Sequence, residues 1–300
     1  MNNSDAVTIF TKESPSPTNS EHRLSPQESL KILGNIQIPP QPEIVRALMT
    51  ERASDNPDTQ KIAELIGRDT GLTAAVLKTV NSPYFGLRNK IHSIQQAISM
   101  LGMKNVGALV LGLALRTSIP VKGMDHYWES TSRAAQISFM LARHLGLRNA
   151  EEVQLYVLFH DSGMPVLLQR FPDYLETVRQ IPNTSWTSIT ALEELHHKTN
   201  HAVVGWLFAN TWGLSDGIRE AILRHHDPII FEDNAVSAES RTLMALGHIA
   251  EHIEETISQQ LNECSWEEFG HASLKHLMMG EAELNDFIEI AKDQLRAEIG

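Results

Sequence analysis

Apolar positions recur along this chain with the period of a helix. Ile44, Val45 and Leu48 form a first stripe, after a turn at residues 38–43 whose prolines cannot continue a helix. Pro42 suits the first turn of the helix that follows. Asp58 or Thr59 then caps a short helix with Ile62, Leu65 and Ile66 on one face, broken at Thr70-Gly71. The next helix, from Leu72, carries Val76, Leu77 and Val80. It stops at Asn81-Ser82-Pro83, because the residue before a proline avoids the helical region. Asn81-Ser82 is expected to cap and turn the chain there. Tyr84 and Phe85 follow in a loop, where aromatics either seal a core or anchor a partner. Ser93 and Gln96 make a capping-box pattern for a helix with Ala97, Ile98 and Leu101, closed by Gly102. Residues 104–117 are nearly apolar all round, which predicts the central helix of the first half, ended by Pro120.

The second half continues in helices. Ala134, Ile137, Leu141 and Leu145 make one stripe. Asn149 and Glu152 form a capping-box pattern for the next helix, where Val153, Val157 and His160 fall at i, i+4 and i+7. Gly163 and Pro165 are expected to terminate it. Asn200 caps a helix opening at His201, with Val204, Leu207 and Phe208 inward. Ser215 or Asp216 caps another, on which Ile218, Ala221, Ile222 and His225 recur at i, i+3, i+4 and i+7, and Pro228 stops it. Two further amphipathic helices are expected near residues 237–260 and 281–299. No run alternates apolar and polar residues long enough for a strand, so the fold class is all-α.

Composition changes this picture little. The 300 residues are 42% hydrophobic and 21% charged, an ordinary globular chain long enough for a sizeable core. Residues 1–25 are polar and rich in Ser, Thr, Asn and Pro, and read as a disordered N-terminal tail without a targeting signal. The net charge of -12 disfavours general nucleic-acid binding through a basic face. Cys264 is the single cysteine, which excludes an intramolecular disulfide and a cysteine-based metal cluster. The longest apolar run, residues 106–115, falls far short of the ~20 residues a membrane span needs, so no membrane contact is expected. Together these features point to the cytoplasm.

Histidine is the unusual count: there are 14, and 12 of them lie at or after His126. His160-Asp161, His201 and His225-His226 come from three separate helices, and those on apolar stripes face the core. A single buried histidine is ordinarily a hydrogen-bonded core residue. An adjacent His-Asp pair with three more imidazoles is the donor set of a Zn, Mn or Fe centre that activates water.

Leu158-Phe159-His160-Asp161-Ser162-Gly163 resembles the His-Asp helix end of the HD phosphohydrolase superfamily. Ile38-Pro39-Pro40-Gln41-Pro42-Glu43, Ile66-Gly67-Arg68-Asp69-Thr70-Gly71-Leu72-Thr73 and Val80-Asn81-Ser82-Pro83-Tyr84-Phe85-Gly86 resemble the HDOD branch of it. So do Ile94-Gln95-Gln96-Ala97-Ile98-Ser99-Met100-Leu101-Gly102 and Trp212-Gly213-Leu214, and the resemblance spans about residues 28–230. It implies a two-lobed helical bundle: an N-terminal lobe over residues 26–120, an HD-like lobe over 121–230, and C-terminal helices over 231–300 packed on the latter. It further implies a bacterial signal-transduction module, non-catalytic and acting on a protein partner, related to the HD-GYP cyclic-dinucleotide phosphodiesterases.

Departures from the superfamily bear on chemistry. Where the pattern places an early histidine or glutamate ligand, this chain has Ser130. Gly163-Met164-Pro165 stands where active relatives often carry Gly-Lys, which removes a phosphate-binding cation. The Gly-Tyr-Pro signature is absent. The terminal aspartate corresponds to Glu251, at the edge of the stripe Leu243, Leu246, Ala250 and Ile253. The resemblance thus implies a vestigial site for a divalent metal (Mn, Fe, Zn or Mg) on His160, Asp161, His201, His225, His226 and Glu251. The rival reading is a divergent metal-dependent phosphohydrolase acting on a nucleotide or cyclic dinucleotide. His248-Ile249-Ala250-Glu251-His252 also fits an inverted zinc-protease motif, but both histidines point away from the apolar stripe, so a solvated helix face is expected. Glu254-Glu255 is expected to be solvated surface as well.

Overall fold

The computed structural model describes residues 36–52, 54–85, 87–180, 189–259 and 265–299, and no strand occurs among them. The expected N-terminal tail and Cys264 lie outside these residues. Five helices build the first lobe: α1 (Glu43–Arg52), α2 (Thr59–Gly67), α3 (Thr70–Val80), α4 (Ile94–Leu101) and α5 (Met103–Ser118). Their starts follow the side chains that satisfy free N–H groups. Asp58 accepts from the Lys61 N–H at 2.9 Å, and Ser93 from the Gln96 N–H at 3.1 Å. The expected break at Thr70-Gly71 falls earlier, because Asp69 accepts from the Leu72 N–H at 2.9 Å and opens α3 at Thr70. The apolar α5 packs against α1, α3 and α4, as a helix without a polar face must.

Asn81 closes α3 and pins the loop after it. Its amide donates to the carbonyls of Leu77 and Ile91 and accepts from the Ile91 N–H, all within 2.8 Å. A 3-10 turn follows at Pro83–Phe85. Phe85 is a core residue, not an exposed anchor: it is buried, with its ring 5.5 Å from that of Phe139. The Tyr84 side chain lies outside the described residues.

The second lobe contains α6 (Asp125–His144), α7 (Ala150–Phe159), α8 (Gly163–Arg170), α9 (Tyr174–Val178), α10 (Ile189–His197), α11 (His201–Thr211) and α12 (Asp216–Arg224). Asn149 sits at the start of α7 without making a side-chain cap, and Glu152 instead accepts from the Ser215 hydroxyl at 2.9 Å. Gly163 and Pro165, expected to end a helix, begin α8, where a proline without an N–H costs nothing in the first turn. Gly163 is obligatory for close approach. A Cβ there would lie 2.0 Å from the His201 carbonyl oxygen, so only glycine lets α8 start against the beginning of α11.

After α12 come α13 (Ala238–Ser258), a π-helical turn at Trp266–Gly270, α14 (His271–Leu277) and α15 (Glu281–Ile299). The long α13 lies across α6, α7 and α12 of the second lobe. The final helix α15 packs on α13 and also reaches back to the Pro83–Phe85 turn of the first lobe. The lobes share one apolar core, with α5 against α7. They are also stitched at the end of α11, where the Trp212 indole N–H donates to the Pro39 carbonyl at 3.1 Å. Gln41 returns a bond to the Trp212 carbonyl at 2.8 Å. Two motifs far apart in the chain thus meet. No helix among the described residues is long and apolar enough to cross a membrane.

Candidate metal centre

Four segments converge in the HD-like lobe. The end of α7 supplies His160 and Asp161, the start of α11 supplies His201, the end of α12 leads to His225 and His226, and α13 supplies Glu251. Helical geometry aims the imidazoles. His160 directly follows α7 in helical conformation, and its Nδ1–H donates to the Val157 carbonyl at 2.8 Å. His225 repeats this after α12, donating from Nδ1 to the Ile222 carbonyl at 2.6 Å. His201 donates from Nδ1 to the Glu193 carboxylate at 2.7 Å. Carbonyl and carboxylate oxygens only accept, so each Nδ1 carries the proton and each Nε2 turns a lone pair inward.

Those lone pairs meet around one carboxylate. Asp161 Oδ1 lies 3.3 Å from Nε2 of both His201 and His225, while Oδ2 lies 3.2 Å from Nε2 of His160. His201 Nε2 is 3.1 Å from Nε2 of His225 and 2.8 Å from that of His226. Glu251 Oε1 stands 2.7 Å from His160 Nε2. Two donor groups result, Asp161 with His201, His225 and His226, and His160 with Asp161 and Glu251, and Asp161 belongs to both. Within each group the candidate ligand atoms lie within 4.8 Å of one another.

Lone pairs facing lone pairs repel unless a cation lies among them. Asp161 Oδ1 and His160 Nε2 are buried without a hydrogen-bond partner, which fits a metal among these donors. Burial disfavours a charged His160, but Asp161 and then Glu251 outweigh it and hold its pKa well above the ordinary imidazole range. Burial likewise opposes charge on His201, yet Glu193 and Asp161 raise its pKa to about 10. Burial leads in lowering the pKa of His225 and His226. A second proton on Nε2 of His160 and of His201 is therefore favoured where no cation lies among the lone pairs, and a metal ion would supply the positive charge in that proton's place. Burial would raise the pKa of Asp161, but His160, His201 and His225 hold it well below the ordinary range. The cluster opens to solvent on its carboxylate side: the Asp161 and Glu251 side chains are 14% and 22% exposed, the His160, His201 and His225 side chains at most 6%.

All six residues singled out in the sequence lie in this cluster. Two others beside it were not singled out. Glu193 is fully buried on α10 and accepts from the His201 backbone N–H at 2.9 Å, from its Nδ1–H, and from the Tyr174 hydroxyl. Tyr127, in the first turn of α6, has a buried hydroxyl that feels Asp161 and Glu251.

Ser130 points elsewhere. It donates to Glu254 Oε2 at 2.7 Å, and Arg133 grips Glu254 Oε1 at 2.9 and 2.6 Å. Glu254 is thus a buried cross-link between α6 and α13, not solvated surface. His248 and His252 are not on a solvated face either. The π-helical turn and α14 cover them: His248 is buried against Phe269 and lies 3.3 Å from the Ser273 hydroxyl, and His252 stacks on Trp266 at 3.7 Å. Neither belongs to a donor group found among the described residues, so the protease motif has no shared metal position there.

A family model for the HDOD domain matches residues 38–228. The chain belongs to the HDOD domain family. An uncharacterised Treponema pallidum protein is 26% identical over 188 residues, covering 61% of this chain and 36% of the relative. The Bacillus subtilis protein YuxH is 28% identical over 170 residues, covering 48% of this chain and 42% of its own length. The chain thus spans about two fifths of the length of these curated relatives. Among solved structures, an HDOD domain protein of unknown function from Geobacter sulfurreducens has a TM-score of 0.67 at 19% identity, over 91% of this chain and 95% of its own. A Shewanella amazonensis protein provisionally assigned as a phosphohydrolase has a TM-score of 0.69 at 18% identity, over 90% of this chain and 95% of its own. These likenesses establish the all-α HDOD fold.

Proposed function

We propose that this HDOD protein is a regulatory signalling module that holds divalent metal in its HD-like lobe and acts through protein contacts without turnover. The observation that carries the non-catalytic part is Ser130. The superfamily pattern places a metal ligand there, and here a hydroxyl is tied to Glu254 and Arg133 instead. His201, His225 and His226 would hold metal on one side of Asp161, and His160 and Glu251 on the other. Bound metal would supply Lewis acidity and activation of water. The residues around it fix imidazole tautomers and keep the cluster dry except at its carboxylate edge. Without turnover, function resides in binding. The bonds between Trp212 and residues 39–41 support communication from the metal lobe to the first lobe, because α11 carries His201 at its other end.

The second reading, a phosphohydrolase acting on a nucleotide or cyclic dinucleotide, is favoured by the solvent-facing edge of the shared Asp161 and Glu251. Elemental analysis of purified protein, paired with a phosphodiesterase assay on the same sample, separates the two. We expect bound Mn, Fe or Zn, or Mg when supplied, with hydrolysis at background. Sustained cleavage of a cyclic dinucleotide, abolished by Asp161→Ala, would install the second reading in place of the first.

A further inference from the structure

A small cavity lies where the two lobes meet. Leu113 and Arg116 on α5 of the first lobe form one wall, and Trp128 and Gln136 on α6 with Gln154 and Leu158 on α7 of the second form the other. No residue of the metal cluster lines it. It encloses about 60 Å³. A cavity of about 150 Å³ holds benzene, and one water needs about 10–15 Å³. This space therefore suits a molecule of about five heavy atoms, not a nucleotide or a peptide.

Its polar groups are unmet. Gln154 is 1% exposed, and its carboxamide oxygen has no hydrogen-bond partner. The carboxamide oxygen of Gln136 is likewise buried without one. Each such acceptor carries the cost of an unmade bond. The last torsion of a glutamine is soft, so either oxygen can turn to a donor in this space. Thr79 and Ser132 also line it, but their hydroxyls already donate to the carbonyls of Ala75 and Trp128 at 3.0 and 2.6 Å. At the outer end the Arg116 side chain is 44% exposed. Its ion pair, to Asp125 Oδ1 at 3.4 Å, is with a carboxylate that is 85% exposed. Such a surface pair contributes little and gives way to a better-placed anion.

Two acceptors inside, a guanidinium at the mouth and a short apolar wall between them describe a ligand with an N–H donor head, an anionic end and a small body. We propose that this cavity between the lobes is a receptor site for a small α-amino acid, its ammonium donating to Gln136 and Gln154 and its carboxylate paired with Arg116. The ammonium and carboxylate stand two bonds apart, so the zwitterion brings no net charge into the core. Trp128 and Leu158 leave room for a side chain of one or two heavy atoms at most. An occupant touching α5 on one side and α6 and α7 on the other bears on how the lobes pack, which is the input a signalling module needs. The inference goes beyond the metal-binding reading and stands without it.

The test adds glycine, L-alanine and L-serine singly to the full chain, with acetate as a control that carries the anion alone. Calorimetry should find at least one of the three bound once per chain, and acetate bound about tenfold more weakly. Arg116→Ala, at an exposed position, and Gln154→Leu, which nearly keeps the volume, should each weaken that binding about tenfold, the scale of a hydrogen bond to a charged group. Should Gln154→Leu not fold, 15N-labelled wild type supplies the second readout, because the side-chain amide resonances of Gln136 and Gln154 should move when the amino acid is added. Binding by none of the three, acetate bound as tightly, wild-type affinity in Arg116→Ala, or unmoved amide resonances would each overturn the proposal. None of these results bears on the metal-binding reading, which elemental analysis decides by itself.

Discussion

Glu193 holds three donors at once, the backbone and imidazole N–H groups of His201 and the hydroxyl of Tyr174, with no solvent contact. A carboxylate can accept all three, whereas an amide would turn its own N–H2 toward one of them. Glu193→Gln should therefore loosen the orientation of His201 and weaken metal binding by about 10–100-fold. Competition against a fluorescent chelator measures this, and wild-type affinity in the variant would end the claim. His160 and His201 could be read in the sequence because each lies on or opens an apolar helical stripe. Glu193 could not. In α10 the buried positions are Ile189, Glu193 and His197, while Leu195 is 61% exposed, so the usual polarity of the stripe is inverted. The signal was a charged residue between two inward positions four apart, and it becomes meaningful only once His201 is seen to need a partner.

At the scale of elements, the misread face was that of α13. A helical wheel identifies the side of Leu243, Leu246 and Ile253 as inward, but that helix is covered on a second side by the π-helical turn and α14. His248 is buried there, and burial leads in lowering its pKa from the ordinary 6.5 to about 4. The folded protein keeps it neutral, while the unfolded chain protonates it below about pH 6.5. Its contribution to stability is therefore complete above that pH and is lost as pH falls toward 4. The contact between α13 and α14 should loosen in that window. Protection against hydrogen exchange over residues 265–277, referred to the intrinsic rate at each pH, should be lower at pH 5 than at pH 7.5, and His248→Gln should flatten that dependence. Equal protection at the two pH values would remove this account of how α14 is held.

On the scale of the whole molecule, helix periodicity made the order of helices legible and the family resemblance their two lobes, but neither showed the way distant stretches join. Pro39 and Trp212 look unrelated in the sequence until the indole N–H reaches the proline carbonyl, and Glu251 joins the cluster only because α13 crosses α6, α7 and α12. A metal held by residues from α7, α11, the end of α12 and α13 ties these segments together only in the folded state. Free metal at 100 times its dissociation constant then stabilises the fold by about 2.7 kcal/mol. For a chain of this size that corresponds to a rise in melting temperature of about 4 °C, reversed by chelation. Two variants separate the metal from the clasp between lobes. Asp161→Ala should abolish the metal-dependent rise, because both donor groups lose their shared member. Trp212→Phe should lower the melting temperature with and without metal and leave the rise intact, because the lost bond to Pro39 lies outside the cluster. If metal raises the melting temperature of the Asp161→Ala protein as much as that of the wild type, the stabilising ion sits elsewhere and the convergence of these four segments has another cause.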